Sequence, residues 1–120
     1  MNLQNTKAVI FSLEGLSVTD AERALFTKTQ PLGYILFARN CESVAQIRGL
    51  TDDLRAITGW HCPILIDQEG GRVQRLKPPV WRQYPPMKDF GDAYAQNPEK
   101  ALEDLRFTML QLAEELVECG

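Results

Sequence analysis

Three short apolar runs, at residues 7–13, 33–37 and 63–66, alternate with segments of helical periodicity. Nearly continuous apolar runs of this length are typical of strands buried on both faces of a parallel sheet. A long loop and a last helix follow the third run. This order of strand, helix, strand, helix, strand, loop and helix predicts right-handed βαβ units, and therefore an α/β fold with a parallel sheet.

Capping residues indicate where the first helix begins. Thr19 and Glu22 are spaced as a capping box, in which each side chain satisfies a backbone N–H group at the helix N-terminus. We expect a helix over residues 20–28, and Pro31 prevents any continuation because proline cannot donate a helical hydrogen bond.

The second helix carries the same signals. Ser43 and Gln46 are spaced as another capping box, and Gly59 is a natural helix end. Apolar residues three and four positions apart lie on one face of this helix. They are Val44, Ile47, Leu50, Leu54 and Ile57.

Residues 77–98 break the pattern, because prolines and aromatic residues replace the regular spacing. We expect a long ordered loop there, with at most one short helical turn. Asn97 followed by Pro98 is typical of a helix start and predicts a last helix over residues 98–118. The apolar stripe of that helix consists of Leu102, Leu105, Met109, Leu112, Leu116 and Val117.

Polar residues follow each of the three predicted strands. Glu14 follows the first, Arg39 and Asn40 follow the second, and Asp67 follows the third. In parallel α/β folds, ligands bind beyond the carboxyl ends of the strands. The sequence therefore predicts a pocket at this edge of the sheet.

The predicted elements are too few for a closed fold. A parallel sheet needs cover on both faces, and three amphipathic helices cover only one side of three strands. A closed barrel solves this, because its inner face is filled by side chains, but closure takes eight strands and roughly 250 residues. The fold predicted for these 120 residues is thus the first three βα units of an incomplete (β/α)₈ TIM barrel.

Composition excludes several classes of protein. A formal net charge of −3 without a long basic run argues against a nucleic-acid binder. No apolar stretch approaches the ~20 residues that a membrane span needs, and residues 1–15 lack the features of a secretory signal. Cys41, Cys62 and Cys119 show neither a disulfide framework nor zinc-ligand spacing. We expect reduced thiols in a cytoplasmic protein.

The stretch from Asp67 to Arg75, DQEGGRVQR, directly follows the third apolar run. It resembles the signature of glycoside hydrolase family 3, and within that family the bacterial cytoplasmic β-N-acetylhexosaminidases of peptidoglycan recycling. Further matches are GYILFARN upstream, and Tyr84-Pro85-Pro86 and LAEELVECG downstream. The resemblance covers nearly the whole chain, and implies that residues 1–120 are the N-terminal part of a single catalytic barrel domain.

The resemblance implies a retaining double displacement. An aspartate attacks the anomeric carbon, and a histidine on a mobile loop, held by an aspartate, acts as the acid and then as the base. Both groups belong to later units of the barrel, so we expect no catalytic residue in this chain, and no cofactor or metal. His61, the single histidine, precedes the third strand at the end opposite the pocket and is expected at the surface or an edge.

Asp67 and Arg75 correspond to substrate-binding positions of the family. An ionised carboxylate accepts hydrogen bonds through two oxygens, so Asp67 can bind two neighbouring sugar hydroxyls. The guanidinium of Arg75 can donate to hydroxyl oxygens and neutralise Asp67. The alternative is a structural ion pair at a strand end.

Four residues between them are expected to support the loop. Gly70 and Gly71 allow backbone conformations closed to other residues and let a ligand come near. Glu69 fixes the loop backbone rather than acting in chemistry, because the catalytic carboxylates of the family lie elsewhere. Arg72, like Gln74, either supports the pocket or makes ordinary loop hydrogen bonds.

Three aromatic side chains of the long loop have two possible roles. Trp81, Tyr84 and Phe90 either form a wall on which a sugar stacks or pack as the core of the loop. Packing is the commoner fate of buried aromatic residues.

Three functions remain open. The first is an exo-acting β-N-acetylglucosaminidase that releases terminal GlcNAc from peptidoglycan-derived muropeptides, with this chain inactive alone. The second is a family member acting on β-glucosides or β-xylosides. The third is a non-catalytic sugar-binding fragment, which the open sheet edges and bare inner face disfavour. In each case the partner is a small carbohydrate, and the oligomeric state is unknown.

Overall fold

The computed structural model describes residues 5–120, so the first four residues of the stretch considered for a secretory signal lie outside the described residues. The chain divides into two compact units. One runs to Ile66 and includes Cys119–Gly120, and the other is Asp67–Glu118. Within the described part, no helix combines the length and the apolar composition that crossing a bilayer requires.

The first unit is a three-stranded parallel sheet with two connecting helices. Its strands are β1 (Lys7–Phe11), β2 (Pro31–Leu36) and β3 (Ile64–Ile66), in the order β1-β2-β3. Helix α1 (Asp20–Thr29) connects the first pair of strands, and α2 (Val44–Thr58) connects the second pair. The predicted α/β class and the parallel pairing are confirmed. Each strand is shorter than its apolar run or shifted against it.

The capping box of α1 is confirmed. The Glu22 N–H donates to Thr19 Oγ1 over 3.2 Å, and the Thr19 N–H donates to Glu22 Oε2 over 2.9 Å. The helix ends at Gln30, whose φ of 51° is in the left-handed region, and Pro31 then begins β2. A single turn residue thus reverses the chain from helix to strand.

Only half of the capping box predicted for α2 is present. Ser43 Oγ accepts from the Gln46 N–H, but the Gln46 side chain accepts from the Glu42 N–H rather than from that of Ser43. Its amide nitrogen donates to the carbonyl oxygens of Leu16 and Asn40, over 2.7 and 3.0 Å. A glutamine carries donors as well as an acceptor, so it can bind loop carbonyls that a glutamate could not.

Aromatic residues form the centre of the first unit. The Phe26 ring of α1 lies 5.0 Å from that of Tyr34 and 5.6 Å from that of Phe11. Burial raises the pKa of Tyr34, with a smaller contribution from Cys62. Apolar residues of β2 and α2 complete this core; they are Leu36, Ile47, Leu50 and Leu54.

The second unit begins with a two-stranded antiparallel hairpin of β4 (Gln68–Gly70) and β5 (Val73–Gln74). Helices α3 (Met87–Gln96) and α4 (Pro98–Glu118) follow and pack on one another. The Asn97 side chain accepts from the Lys100 N–H over 3.1 Å. The predicted N-cap and bounds of the last helix are therefore confirmed.

The prediction of a loop over residues 77–98 is wrong in its second half. Residues 87–96 form the ten-residue helix α3, which exceeds one short turn. Four of the five prolines of this segment precede the helix, and Pro86 takes its N-cap position, where a missing N–H costs nothing. Gly91 in the middle lowers the intrinsic helix propensity by about 1 kcal/mol, and packing on α4 overrides that cost.

The apolar stripe of α4 is only partly covered, with Leu105, Met109 and Leu116 half-buried. Leu112 is buried, whereas Leu102 and Val117 are 54% and 73% exposed. Periodicity identifies the apolar side of a helix but does not show that another element covers it.

Candidate functional site

The hairpin brings Asp67 and Arg75 together. Gln68 of β4 pairs with Gln74 of β5, so the residues just outside this pair are neighbours. Arg75 Nη2 donates to Asp67 Oδ2 over 2.8 Å. The two residues that the sequence singled out thus form one charge-assisted contact.

The pair is reachable from solvent. The Arg75 side chain is 28% exposed and that of Asp67 is 39% exposed. A carboxylate offers about four lone-pair sites, and a guanidinium has five N–H donors, so one shared hydrogen bond leaves capacity on both groups. Chemically, the arrangement can accept from and donate to adjacent hydroxyl groups.

The turn of the hairpin requires its two glycines. Gly70 and Gly71 have φ values of 81° and 57°, in the region that side chains disfavour. A Cβ atom on Gly70 would lie 2.2 Å from the Pro85 carbonyl oxygen, and one on Gly71 would lie 2.8 Å from Pro86 Cβ. The segment around Pro85, rather than a ligand, therefore lies against the two glycines. The Gly71 N–H also donates to the carbonyl oxygen of Tyr84 in this segment.

Glu69 and Arg72, the other residues expected to support the loop, are both exposed. Glu69 lies in β4, and Arg72 lies between the two strands. Their place is therefore on the solvent side of the hairpin, whereas the side chain of Gln74 points into the unit.

Gln74 is the buried anchor of the hairpin. Its side chain is 0% exposed and donates to the carbonyl oxygens of Leu76 and Arg82, over 2.7 and 2.6 Å. The side-chain oxygen Oε1 of Gln74 accepts from the Tyr84 N–H over 3.0 Å. Of the two roles open to Gln74, the structure shows loop hydrogen bonding.

Sequence reasoning missed Gln68. Its Oε1 accepts from the backbone N–H groups of Arg75 and Leu76, over 2.9 and 3.0 Å, and its Nε2 donates to the Leu76 carbonyl oxygen over 3.1 Å. A signal was present, since Gln68 and Gln74 lie on either side of a Gly-Gly turn, separated from it by one residue and by two residues respectively. That spacing fits a hairpin, but strands of two or three residues are too short to predict.

Trp81 and Tyr84 are 7% and 3% exposed. For these two residues the structure favours packing over a sugar-stacking wall, because a buried ring presents no face to a ligand. Phe90 is partly exposed, in α3.

The two polar residues after β2 bind the loop that follows β1. Asn40 is fully buried and donates to the carbonyl oxygens of Leu13 and Gly15, over 3.2 and 2.7 Å. Arg39 Nε also donates to the Leu13 oxygen, over 2.8 Å, and its guanidinium lies 4.7 Å from the ring centre of Phe37. That these groups share a sheet edge with Asp67 stays a prediction.

The single histidine and the candidate metal-ligating side chains lie as follows. His61 is exposed. Among residues 5–120, no three histidine, cysteine, aspartate or glutamate side chains gather as a metal site would require.

Curated proteins resemble the chain over most of its length, although no family model matches it. A β-hexosaminidase of Chromobacterium violaceum is 38% identical over 112 residues, which are 93% of this chain and 31% of that protein. A β-hexosaminidase of Nitrosomonas eutropha is also 38% identical, over 93% of this chain and 32% of that protein. The chain thus spans about a third of the length of these relatives.

Solved structures resemble the fold. NagZ from Neisseria gonorrhoeae, in complex with N-trifluoroacetyl-D-glucosamine, matches with a TM-score of 0.87 and 28% identity over 97% of this chain and 34% of that one. A glycoside hydrolase family 3 β-N-acetylglucosaminidase from Paenibacillus sp. str. FPU-7 matches with a TM-score of 0.71 and 30% identity over 98% of this chain and 21% of that one. The resemblance to this family is confirmed.

Proposed function

We propose that this chain, which resembles glycoside hydrolase family 3 over nearly its whole length, supplies sugar-binding residues of a retaining exo-β-N-acetylglucosaminidase. The contact between Arg75 and Asp67 is the observation that carries the proposal, since it presents a carboxylate and a guanidinium together at a half-exposed site. Relatives named β-hexosaminidase, and a structural neighbour crystallised with an N-acylated glucosamine analogue, support this choice of sugar.

We further propose that residues 1–120 are the N-terminal part of a single catalytic domain, the first three βα units of a (β/α)₈ barrel. The parallel order β1-β2-β3 with intervening helices supports this. The match to about a third of NagZ supports it as well. A barrel of this kind gathers its site from loops after several strands, so any one third contributes only part of it.

The proposed role of the pair is to bind the terminal sugar. Asp67 accepts hydrogen bonds from two adjacent hydroxyl groups, and Arg75 donates to a hydroxyl oxygen while compensating the carboxylate charge. Hydrogen bonds to charged groups contribute about 1.5–3 kcal/mol each, roughly twice the contribution of neutral ones. Glu69, Gly70, Gly71 and Arg72 form the turn that keeps the two strands in register.

Bond cleavage is assigned to groups outside these residues. In a double displacement, a carboxylate forms a glycosyl-enzyme intermediate and a second group transfers the proton twice. We assign neither role to a residue of this chain. The substrate that we propose is a GlcNAc-terminated muropeptide in the cytoplasm, where a peptidoglycan-recycling enzyme would meet it.

The complete product of the gene that encodes this chain tests the proposal. We expect it to hydrolyse an aryl N-acetyl-β-glucosaminide with a higher kcat/KM than the matching aryl β-glucoside or β-xyloside. The 120-residue chain alone should hydrolyse none of them. Preference for the glucoside or xyloside would contradict the sugar assignment, and turnover by the isolated chain would contradict the placement of the catalytic groups.

A further inference from the structure

Gln68 lies between the two residues of the proposed site in an unusual way. It follows Asp67 directly in the sequence. Its side chain binds the backbone N–H groups of Arg75 and Leu76 and the carbonyl oxygen of Leu76. One amide group thus satisfies two N–H donors and one carbonyl acceptor. The two bonds to the N–H and carbonyl groups of Leu76 are those that one more hydrogen-bonded pair of residues would make if β4 and β5 continued.

The strand pairing ends where this contact begins. The last paired residue of β5 is Gln74, opposite Gln68. Strand β4 pairs with no described residue beyond it. The Gln68 amide takes the place of a further strand partner. Both glutamines donate to the same Leu76 carbonyl oxygen, whose two lone pairs allow this.

The side chains on either side of Arg75 are fixed as well. Gln74 is 0% exposed and Leu76 is 1% exposed, so both neighbours are held in the interior while Arg75 faces outward. With its own N–H bound to Gln68, the Arg75 backbone has little freedom to rotate. The contact of its guanidinium with Asp67 therefore costs less conformational entropy, because the Arg75 backbone is already ordered.

We propose that Gln68 is the positioning residue of this site, which holds the Arg75–Leu76 backbone so that the Arg75 guanidinium is directed at Asp67 before a sugar binds. This inference rests on the proposed function of Asp67 and Arg75. Gln68 itself need not touch the sugar. It strengthens sugar binding by fixing the geometry of a residue that does.

Amide hydrogen exchange of the complete product of the gene that encodes this chain measures the positioning itself. Replacing Gln68→Met keeps the length of the side chain and removes its three hydrogen bonds, so protection of the Arg75 and Leu76 amides should fall at least tenfold. Gln68→Glu retains the acceptor oxygens and should restore most of that protection. Gln96→Met, on an exposed glutamine of the same unit, is the matched control and should change neither amide.

Sugar affinity shows whether the positioning acts through Arg75. Titration of the complete product of the gene that encodes this chain with N-acetylglucosamine, followed by NMR shifts, should give a dissociation constant three- to tenfold higher for Gln68→Met. In an Arg75→Met background, the same replacement should have no further effect, because positioning matters only while the guanidinium is present. A purely structural role would raise the dissociation constant by the same factor in both backgrounds, which would overturn the proposal.

The two measurements separate the inference from the proposed function. If Arg75→Met leaves sugar affinity unchanged, the proposed function of the pair fails, and the exchange data still decide whether Gln68 holds Arg75. If Arg75→Met weakens binding and Gln68→Met alters neither exchange nor affinity, only the positioning role is overturned.

Discussion

Arg75 Nη2 lies 2.8 Å from Asp67 Oδ2, although eight positions separate the two residues in the sequence. A hairpin of β4 and β5, turning at two glycines, accounts for this distance. Because both strands are very short, the geometry of the pair depends on side chains that replace missing strand pairing. On the proposed function of the pair, the stability of the hairpin and the binding of a sugar are therefore linked.

The replacement Gly70→Ala should destabilise the second unit by about 2–4 kcal/mol, within the range for strained backbone combined with a steric clash. The added Cβ would meet the Pro85 carbonyl oxygen at 2.2 Å, and the φ of 81° is unfavourable for alanine. Urea unfolding followed by Trp81 fluorescence in a Trp60→Phe background measures the change.

Gly91→Ala is the matched control for that replacement. Gly91 lies within α3, and a Cβ there would meet nothing within 4 Å. Alanine is the better helix former by about 0.5–1 kcal/mol, so this variant should be as stable as the parent or more stable. Equal destabilisation by the two replacements would show that the Gly70 contact with Pro85 is not the cause.

The replacement Gln74→Met should cost about 2–4 kcal/mol, because burial without partners costs roughly 1–3 kcal/mol for each polar group left behind. The Tyr84 N–H and the Arg82 carbonyl oxygen would lose their partner. Hydrogen exchange at the Tyr84 amide should rise along with the loss of global stability. Unchanged exchange at that amide would contradict the assignment of Gln74 as the anchor.

Glu22 should make stability depend on pH. Burial alone would raise its pKa, but hydrogen bonds from the backbone N–H groups of Thr19 and Glu14 and from the Thr19 hydroxyl leave the pKa below its ordinary value of 4.5. A carboxyl whose pKa is lower in the folded state stabilises the fold fully above pH 4.5. That contribution is lost as the pH falls through the lowered pKa.

The variant Glu22→Gln isolates this charge. At neutral pH it should be less stable than the parent by about 0.5 kcal/mol, the size of a carboxylate effect at a helix N-terminus. The difference should shrink as thermal unfolding is measured at pH values below 4.5. A difference that grows on acidification would contradict the sign of the pKa shift. Glu42→Gln, on an exposed side chain, is the control.

Local signals in the sequence predicted the first unit well. The capping box of Thr19 and Glu22 and the helix end at Gly59 depend on neighbours within four residues, and the structure confirms both. Three apolar runs were enough to predict parallel pairing, because each is too short for a helix and a helix separates it from the next. The burial of these strands on both faces was predicted wrongly, since Ile10 of β1 and Leu65 of β3 are exposed.

Features that depend on distant contacts were missed. Helix α3 was hidden because Gly91 and the preceding prolines lower the local propensity, and its packing on α4 is not visible in a single segment. The role of Gln68 was missed for the same reason. It reaches the N–H groups of Arg75 and Leu76 only because the chain folds back in a hairpin, and the strands of that hairpin are too short to predict. The pairing of Asp67 with Arg75 was expected both from the resemblance, as a substrate-binding pair, and from the residues themselves, as a structural ion pair at a strand end.

The kinetic effect of Asp67→Asn tests the central claim most directly. The assay uses a protein in which this chain replaces the residues that it matches in NagZ from Neisseria gonorrhoeae, with an aryl N-acetyl-β-glucosaminide as substrate. Asparagine keeps the size of the side chain and removes the charge that strengthens its hydrogen bonds to hydroxyls and to Arg75. We predict that kcat/KM falls at least tenfold, which corresponds to about 1.4 kcal/mol or more.

Asp92→Asn is the control in the same protein. Asp92 pairs with Lys88 on the exposed face of α3, and its replacement should leave kcat/KM within about twofold, because exposed ion pairs contribute little. A tenfold or greater loss for Asp67→Asn with none for Asp92→Asn is the predicted result. Equal kcat/KM for Asp67→Asn and its parent would contradict the claim that this carboxylate binds the sugar.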